Sequence, residues 1–160
     1  MIVVADSSPI RYLILIDEIR LLPELYGAIV LPVSVVHELT QGASPAQVRN
    51  FMEDLPNWAT VRTARKEIPD LPARLGRGER EAIALAQELQ ADVLLVDDEA
   101  ARLEAARRMI PVQGTLGVLD LGASHGLLTD FPAAIQKLKA TNFRASQRLL
   151  DYLLARHKIS

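Results

Sequence analysis

The sequence predicts an α/β protein built on a parallel sheet with helices on both faces. Three observations carry this. Short apolar runs, Ile2-Val3-Val4-Ala5, Ala28-Ile29-Val30-Leu31 and Val93-Leu94-Leu95-Val96, read as buried strands. Stretches with helical spacing of apolar residues alternate with them, the order expected of parallel strands joined by crossover helices. Acidic residues stand directly after the first and third of these runs, at Asp6 and at Asp97-Asp98. At 160 residues the chain is sized for one domain with a real core.

Each element has its own signal. Residues 2–5 form strand one, and Ser7-Ser8-Pro9 starts a helix whose apolar spacing runs from Ile10 to Arg20. Leu22 to Gly27 is a short turn or helix, and residues 28–31 are strand two. Pro32 suits the first turn of a helix holding Ser34 to Thr40, because its missing N–H costs nothing there. Gln41-Gly42-Ala43-Ser44-Pro45 breaks that helix, and Ala46 to Met52 forms the next. Trp58 to Val61 is a weak strand. The polar stretch from Arg62 to Leu75, with Pro69 and Pro72, reads as a loop and the natural place for a mobile flap. Gly76-Arg77-Gly78 leads into a helix from Glu79 to Leu89. Residues 93–96 are a strand, Glu99 to Arg108 a helix, and Ile110-Pro111-Val112 a last strand. Gly114 and Thr115 turn into a helix from Leu116 to Ser124, and about three helical segments close the chain.

Composition narrows the function. With 49% hydrophobic and 24% charged residues the chain is an ordinary globular protein. Only 4% of residues are aromatic, too few for a platform that stacks nucleic-acid bases. There is no cysteine, so disulfides, thiolate metal sites and cysteine nucleophiles are excluded, in keeping with a reducing, cytoplasmic setting. The apolar start lacks a basic region and is cut short by Asp6, unlike a secretory signal. No apolar run reaches the ~18 residues that span a bilayer. Net charge is −2, yet residues 131–160 carry six basic residues against Asp151 alone, a formal +5. Such a tail suits either a solvated helix face or a phosphate backbone.

The acids are the chemistry-bearing residues. Asp6 sits where it can cap the following helix or face a ligand. Glu38 lies among Val35, Val36 and Leu39, where partial burial would demand a salt-bridge partner. Glu79 and Glu81 cannot share a site, because two helical steps turn the side chain by about 200°. Glu79, at a helix start, is favoured, with Glu81 as the fallback; Glu81 can instead pair with Arg77 or another surface cation. Of Asp97 and Asp98, one is expected to cap the helix beginning near Glu99 while the other faces the crevice. Thr115 offers a hydroxyl that can cap its helix or orient a metal-bound water. The edge of an open α/β sheet at the carboxyl ends of its strands is where ligand crevices form. Several carboxylates converging there hold together best around a hard divalent cation such as Mg²⁺ or Mn²⁺. His37, His125 and His157 are scattered, and no Gly-x-Ser-x-Gly, P-loop lysine or Gly-x-Gly-x-x-Gly motif supports a nucleophilic triad or nucleotide cofactor.

Val4-Ala5-Asp6-Ser7-Ser8-Pro9, the segment from Leu31 to Leu39, Leu75 to Ala86, Leu94 to Arg102 and Val112 to Gly117 together resemble a PIN-domain ribonuclease. Residues 112–117 also resemble a prokaryotic PIN subgroup of unassigned function, similar to the toxins of VapBC-type toxin–antitoxin pairs. The resemblance implies a three-layer α/β/α sandwich with a central, mainly parallel sheet. It implies Mg²⁺- or Mn²⁺-dependent endonucleolytic cleavage of RNA. The family's acidic quartet falls on Asp6, Glu38, Glu79 and Asp97, with Asp98 a competitor or fifth member and Thr115 near the supporting hydroxyl position. This chain departs from many members in carrying Glu79 with a second glutamate two residues on, and in its double aspartate. Arg102, or a cation of the basic tail, is placed to hold a flanking phosphate.

The resemblance assigns residues 1–130 to the catalytic domain and 131–160 to a helical extension. Leu149, Leu150, Leu153 and Leu154, at helical spacing, can complete the same core, meet a second copy in a homodimer, or receive an antitoxin. Two other functions fit less of the sequence. A haloacid-dehalogenase-type Mg²⁺ phosphatase shares the strand-one aspartate, but Ser8 stands where its second aspartate belongs. A non-catalytic RNA- or protein-binding module would keep the pocket as a vestige.

Overall fold

A computed structural model describes residues 1–158. Among them, five strands form one parallel sheet in the order β3-β2-β1-β4-β5. The strands are β1 (Val3–Ala5), β2 (Ile29–Pro32), β3 (Ala59–Arg62), β4 (Val93–Leu95) and β5 (Val112–Gln113). The helices are α1 (Ser7–Leu15), α2 (Leu21–Tyr26), α3 (Val33–Leu39), α4 (Ala46–Glu53) and α5 (Arg77–Leu89), then α6 (Glu99–Arg107), α7 (Thr115–Ser124), α8 (Phe131–Lys139) and α9 (Gln147–Arg156). This is the three-layer α/β/α arrangement with a central parallel sheet that the sequence leads one to expect.

The layers follow from the two-residue alternation of strand side chains. Val3, Ala5 and Leu95 face one core, with α1, α2, α7 and α8 against them. Val4, Leu94 and Val96 face the other, covered by α5 and α6. β1 is central and register-locked to β4 through Val3–Val93, Val4–Leu94 and Ala5–Leu95, and to β2 at Val4–Val30. Because the chain winds outward in both directions from β1, the strand order reverses beside it, and the carboxyl edge at that point opens into a crevice.

Several boundaries differ from expectation for identifiable reasons. α1 stops at Leu15, not Arg20, and Asp17 then takes a left-handed backbone (φ 59°), although Ile16 stays in the core. Pro32 is the last residue of β2 and the N-cap of α3. The final strand lies at 112–113, although the ladder is already joined at Pro111, whose carbonyl accepts from Leu94 N at 2.8 Å. Two helices, not three, follow α7 among the described residues.

The 62–75 stretch is irregular but anchored. Leu71 and Leu75 are buried, Arg80 donates to the carbonyls of Pro72 (2.8 Å) and Leu75 (3.1 Å), and Glu88 accepts from Arg65 N at 2.7 Å. Within the 131–160 segment, Phe131, Ile135, Leu138, Leu150 and Leu153 join the same core as β1. Arg156 and His157 both bond Asp120 on α7, at 3.1 and 2.5 Å. Residues 159 and 160 of that segment lie outside the described residues.

Candidate active site

Polar side chains reach the crevice from the ends of β1 and β4 and from α1, α3 and α5. Asp6 follows β1 and its amide donates to Leu95 O at 2.8 Å, which fixes the β1–α1 turn against the end of β4. Asp6 occupies the N-cap position of α1, but its side chain makes no capping bond to that helix. It is 3% exposed, and its Oδ1 has no hydrogen-bond partner. A buried carboxylate oxygen left without a donor is costly, so capping does not explain Asp6. Burial lifts its pKa to about 7. The Ser7 amide opposes that rise, and the charges of Glu79, Glu38 and Asp97 add to it.

Glu79 is the third residue of α5, where the glycine pair around Arg77 starts the helix. Its Oε1 reaches back to accept from Gly76 N at 3.2 Å, while its Oε2 is buried without a partner. Its pKa is raised by burial first and by the neighbouring charge of Asp98 second. Gly78 packs against the site, and an added Cβ there would stand at ordinary contact distance from Val35 (3.4 Å) and Asp6 Oδ1 (3.6 Å).

Glu81 points elsewhere. It accepts from Ser34 N at 2.8 Å and Ala64 N at 3.2 Å. The surface cation first considered for it is replaced by backbone amides, so Glu81 is a structural clamp between α3, α5 and the 62–75 loop.

Asp97 and Asp98 divide their work differently from expectation. Asp98 caps α6, with its Oδ2 accepting from Ala101 N at 2.9 Å, and it also faces the crevice beside Glu79. Asp97 is held by Thr115, accepting from its amide and its hydroxyl, each at 2.7 Å. Burial raises the Asp97 pKa, while Thr115, Arg102 and Arg11 pull it down. Thr115 is fully buried and its hydroxyl is spent on Asp97; Gly114, not Thr115, is the N-cap of α7. Gly114 has no room for a side chain, since a Cβ there would lie 2.8 Å from Asp97 Oδ1 and 2.7 Å from the Arg102 guanidinium.

Glu38 is exposed on α3, and the burial expected from its apolar neighbours falls instead on Val35 and Leu39. Asp6, Glu38, Glu79 and Asp98 line one cavity of about 430 Å³, with Ser7, Ser8, Arg11 and Ser44 completing its wall. Asp97 stands next to it, on the wall of a neighbouring cavity that Arg102 and Arg144 also line. The structure therefore brings five of the six candidate acids to one edge and sends Glu81 away. Sequence reasoning missed Arg11, whose signal was its place one helical turn after Ser7 and Ser8.

The donor set fits a hard divalent cation. It is all oxygen, and it contains two buried, unpartnered carboxylate oxygens, on Asp6 and Glu79. Among the described residues, no three acidic or histidine side chains converge closely enough to hold an ion as they stand.

The family resemblance is borne out. A family described as a PIN domain matches residues 2–158, so the chain belongs to the PIN-domain family. PIN domains are generally nucleases that use divalent metal ions. The fold is similar to a PilT N-terminus domain protein from the hyperthermophilic archaeon Sulfolobus solfataricus P2. That likeness has a TM-score of 0.53 at 16% identity and spans 91% of this chain and all of the other. No curated protein matches the chain in sequence. No described helix is long and apolar enough to cross a membrane.

Proposed function

We propose that this PIN-domain protein is a metal-dependent endoribonuclease, and that it acts as the toxin of a toxin–antitoxin pair. The observation that carries the reading is the pair of buried carboxylate oxygens, Asp6 Oδ1 and Glu79 Oε2. They have no protein donor, and their side chains line one cavity with Glu38 and Asp98. A fold does not keep such groups for stability; an Mg²⁺ or Mn²⁺ ion gives both a partner.

Asp6, Glu79, Glu38 and Asp98 would hold that ion, and Asp97 would join them or stay behind as the residue that sets the floor of the site. When bound, a divalent cation lowers the pKa of water to give a hydroxide nucleophile and neutralises charge building on the phosphate. The chain's own residues do the rest. Asp6 competes between proton and cation, Thr115 fixes the rotamer of Asp97, and Asp98 keeps its position by capping α6. Arg102, beside Asp97, holds a flanking phosphate of the RNA strand.

The same reading gives α9 a role. Leu150 and Leu153 belong to the core, whereas Leu149 (43% exposed) and Tyr152 (62%) face outward. These two are the positions at which a second copy or an antitoxin would dock. Cytoplasmic action on RNA fits this reading.

The test is incubation of a mixed RNA pool with the pure protein in Mg²⁺, Mn²⁺ or EDTA, beside Asp6→Asn. Metal-dependent fragments that disappear in the variant are expected. Equal cleavage by Asp6→Asn overturns the assignment of the site. Growth arrest on expression of the wild type but not of Asp6→Asn would support the toxin role.

A further inference from the structure

We propose that Arg11 is the residue that grips the RNA backbone phosphate inside the acidic cavity, a positioning role resting on the nuclease reading above. Arg11 is a cation on a wall otherwise supplied by Asp6, Glu38, Glu79, Asp98 and uncharged residues. In that company a guanidinium would ordinarily form an ion pair. Yet Arg11 joins none of the ion pairs among the described residues. Its Nε is buried without any hydrogen-bond partner.

The side chain is held in place by packing. Its guanidinium carbon lies 5.2 Å from the ring centre of Tyr12. Tyr12 in turn is fixed by an edge-to-face contact with Phe143 (5.0 Å) and by donating to Asn142 at 2.8 Å. On α1, Ser7 and Ser8 lie four and three residues before Arg11, so all three share the helix face that borders the cavity. Ser7, Ser8 and Arg11 therefore offer donors from one helix face to a cavity whose other charged residues are acids.

This is the division of labour that phosphodiester cleavage requires. Carboxylates cannot approach a phosphate without a cation between them, and the strand must be held by a group that is itself positive. A fixed guanidinium offers parallel N–H donors that match two phosphate oxygens at once, which an ammonium cannot do. Arg11 lines the acidic cavity, and Arg102 and Arg144 line the cavity that Asp97 borders. An RNA strand crossing from one cavity to the other would run from Arg11 toward Arg102 and Arg144.

A guanidinium serving only to offset neighbouring acids would be replaced by lysine without loss, and this separates the two roles. Binding of a fluorescently labelled, mixed-sequence single-stranded RNA is measured in EDTA at several salt concentrations. The protein carries Asp6→Asn so that nothing is cut. Adding Arg11→Gln should weaken binding about ten-fold and make the salt dependence of log K shallower by about 0.7, one phosphate contact on a single strand. Arg11→Lys should keep that slope and still bind several-fold more weakly. Arg107→Gln, which removes an exposed charge at the far end of α6, should change neither affinity nor its salt dependence. Wild-type affinity in Arg11→Lys overturns the proposal, even if Arg11→Gln does not fold. If the unmodified chain cuts RNA but both Arg11 variants bind like the parent, only the role of Arg11 fails. If the Arg11 variants lose RNA but no metal-dependent cleavage exists, the nuclease reading fails and the phosphate contact stands.

Discussion

At the scale of single residues, the chain has kept a group that harms stability. Asp6 is 3% exposed, its Oδ1 is unpartnered, and its pKa is pushed up to about 7 by burial. Substituting Asn keeps the shape and removes the charge. Asp6→Asn should therefore abolish cleavage and raise the thermal midpoint of the metal-free chain at pH 8, with little gain at pH 5. A midpoint that fell equally at both pH values would mean Asp6 is held by contacts that Asn cannot reproduce. Thr115 is the opposite case. It gives both its amide and its hydroxyl to Asp97 at 2.7 Å, in a fully buried position. Thr115→Val leaves Asp97 with one donor fewer and should cost about 1–3 kcal/mol in urea unfolding. It should also lower the cleavage rate, because Asp97 loses the bond that sets its rotamer. Unchanged stability would show that solvent, not Thr115, satisfies Asp97.

At the scale of elements, two helical steps send Glu79 and Glu81 into different surroundings. Both sit in the first turns of α5. Glu79 turns into the cavity, and Glu81 clamps Ser34 N and Ala64 N. Glu81→Ala should lower stability by about 1–3 kcal/mol through two unsatisfied amides, and speed proteolysis in the 62–75 loop. Mn²⁺-induced stabilisation should remain, whereas Glu79→Ala should lose it. Loss of Mn²⁺ stabilisation in Glu81→Ala with an intact loop would exchange the two roles. The same pair marks how far the sequence could be read. The central strands β1, β2 and β4 were legible because strands buried on both faces are continuous apolar runs. β3 was weaker because it is an edge strand with mostly exposed side chains, and β5 was displaced because only two residues have full strand geometry. Asp6 and Glu79 were legible from their places at a strand end and a helix start. The division between Asp97 and Asp98 was not, because it depends on α7 reaching back to one and α5 standing beside the other, contacts between segments far apart in sequence. Glu38 was misjudged because Val35 and Leu39 fill the core beneath α3, while Glu38 is left on the open wall of the cavity.

At the scale of the whole molecule, several carboxyls shift together and stability should acquire an unusual pH dependence. Asp6, Glu79 and Asp97 all have raised pKa values, with burial the leading cause in each. A carboxyl whose pKa is higher when folded than when unfolded binds its proton more tightly in the native state. Its contribution to stability is fully present below the unfolded value, near 4, and is lost as pH rises through the folded value. For Asp6 that window runs from about 4 to about 7. Other groups set the background, so the site's share is the part that Asp6→Asn removes. A divalent cation should reverse the trend, because it binds the ionised carboxylates and only the folded chain assembles them. Ion binding must displace a proton from Asp6 below about pH 7, and above that the carboxylate is already free. Thermal unfolding at pH 5 and pH 8, with Mn²⁺ and with EDTA, tests this for the wild type and Asp6→Asn. In EDTA the wild type should lose more stability between the two pH values than the variant does, and Mn²⁺ should raise the wild-type midpoint strongly at pH 8 and weakly at pH 5. Equal Mn²⁺ stabilisation at both pH values would mean the ion is held by the exposed acids, Glu38 and Asp98, without Asp6. Equal stabilisation of wild type and variant at pH 8 would likewise show that Asp6 takes no part in holding the ion.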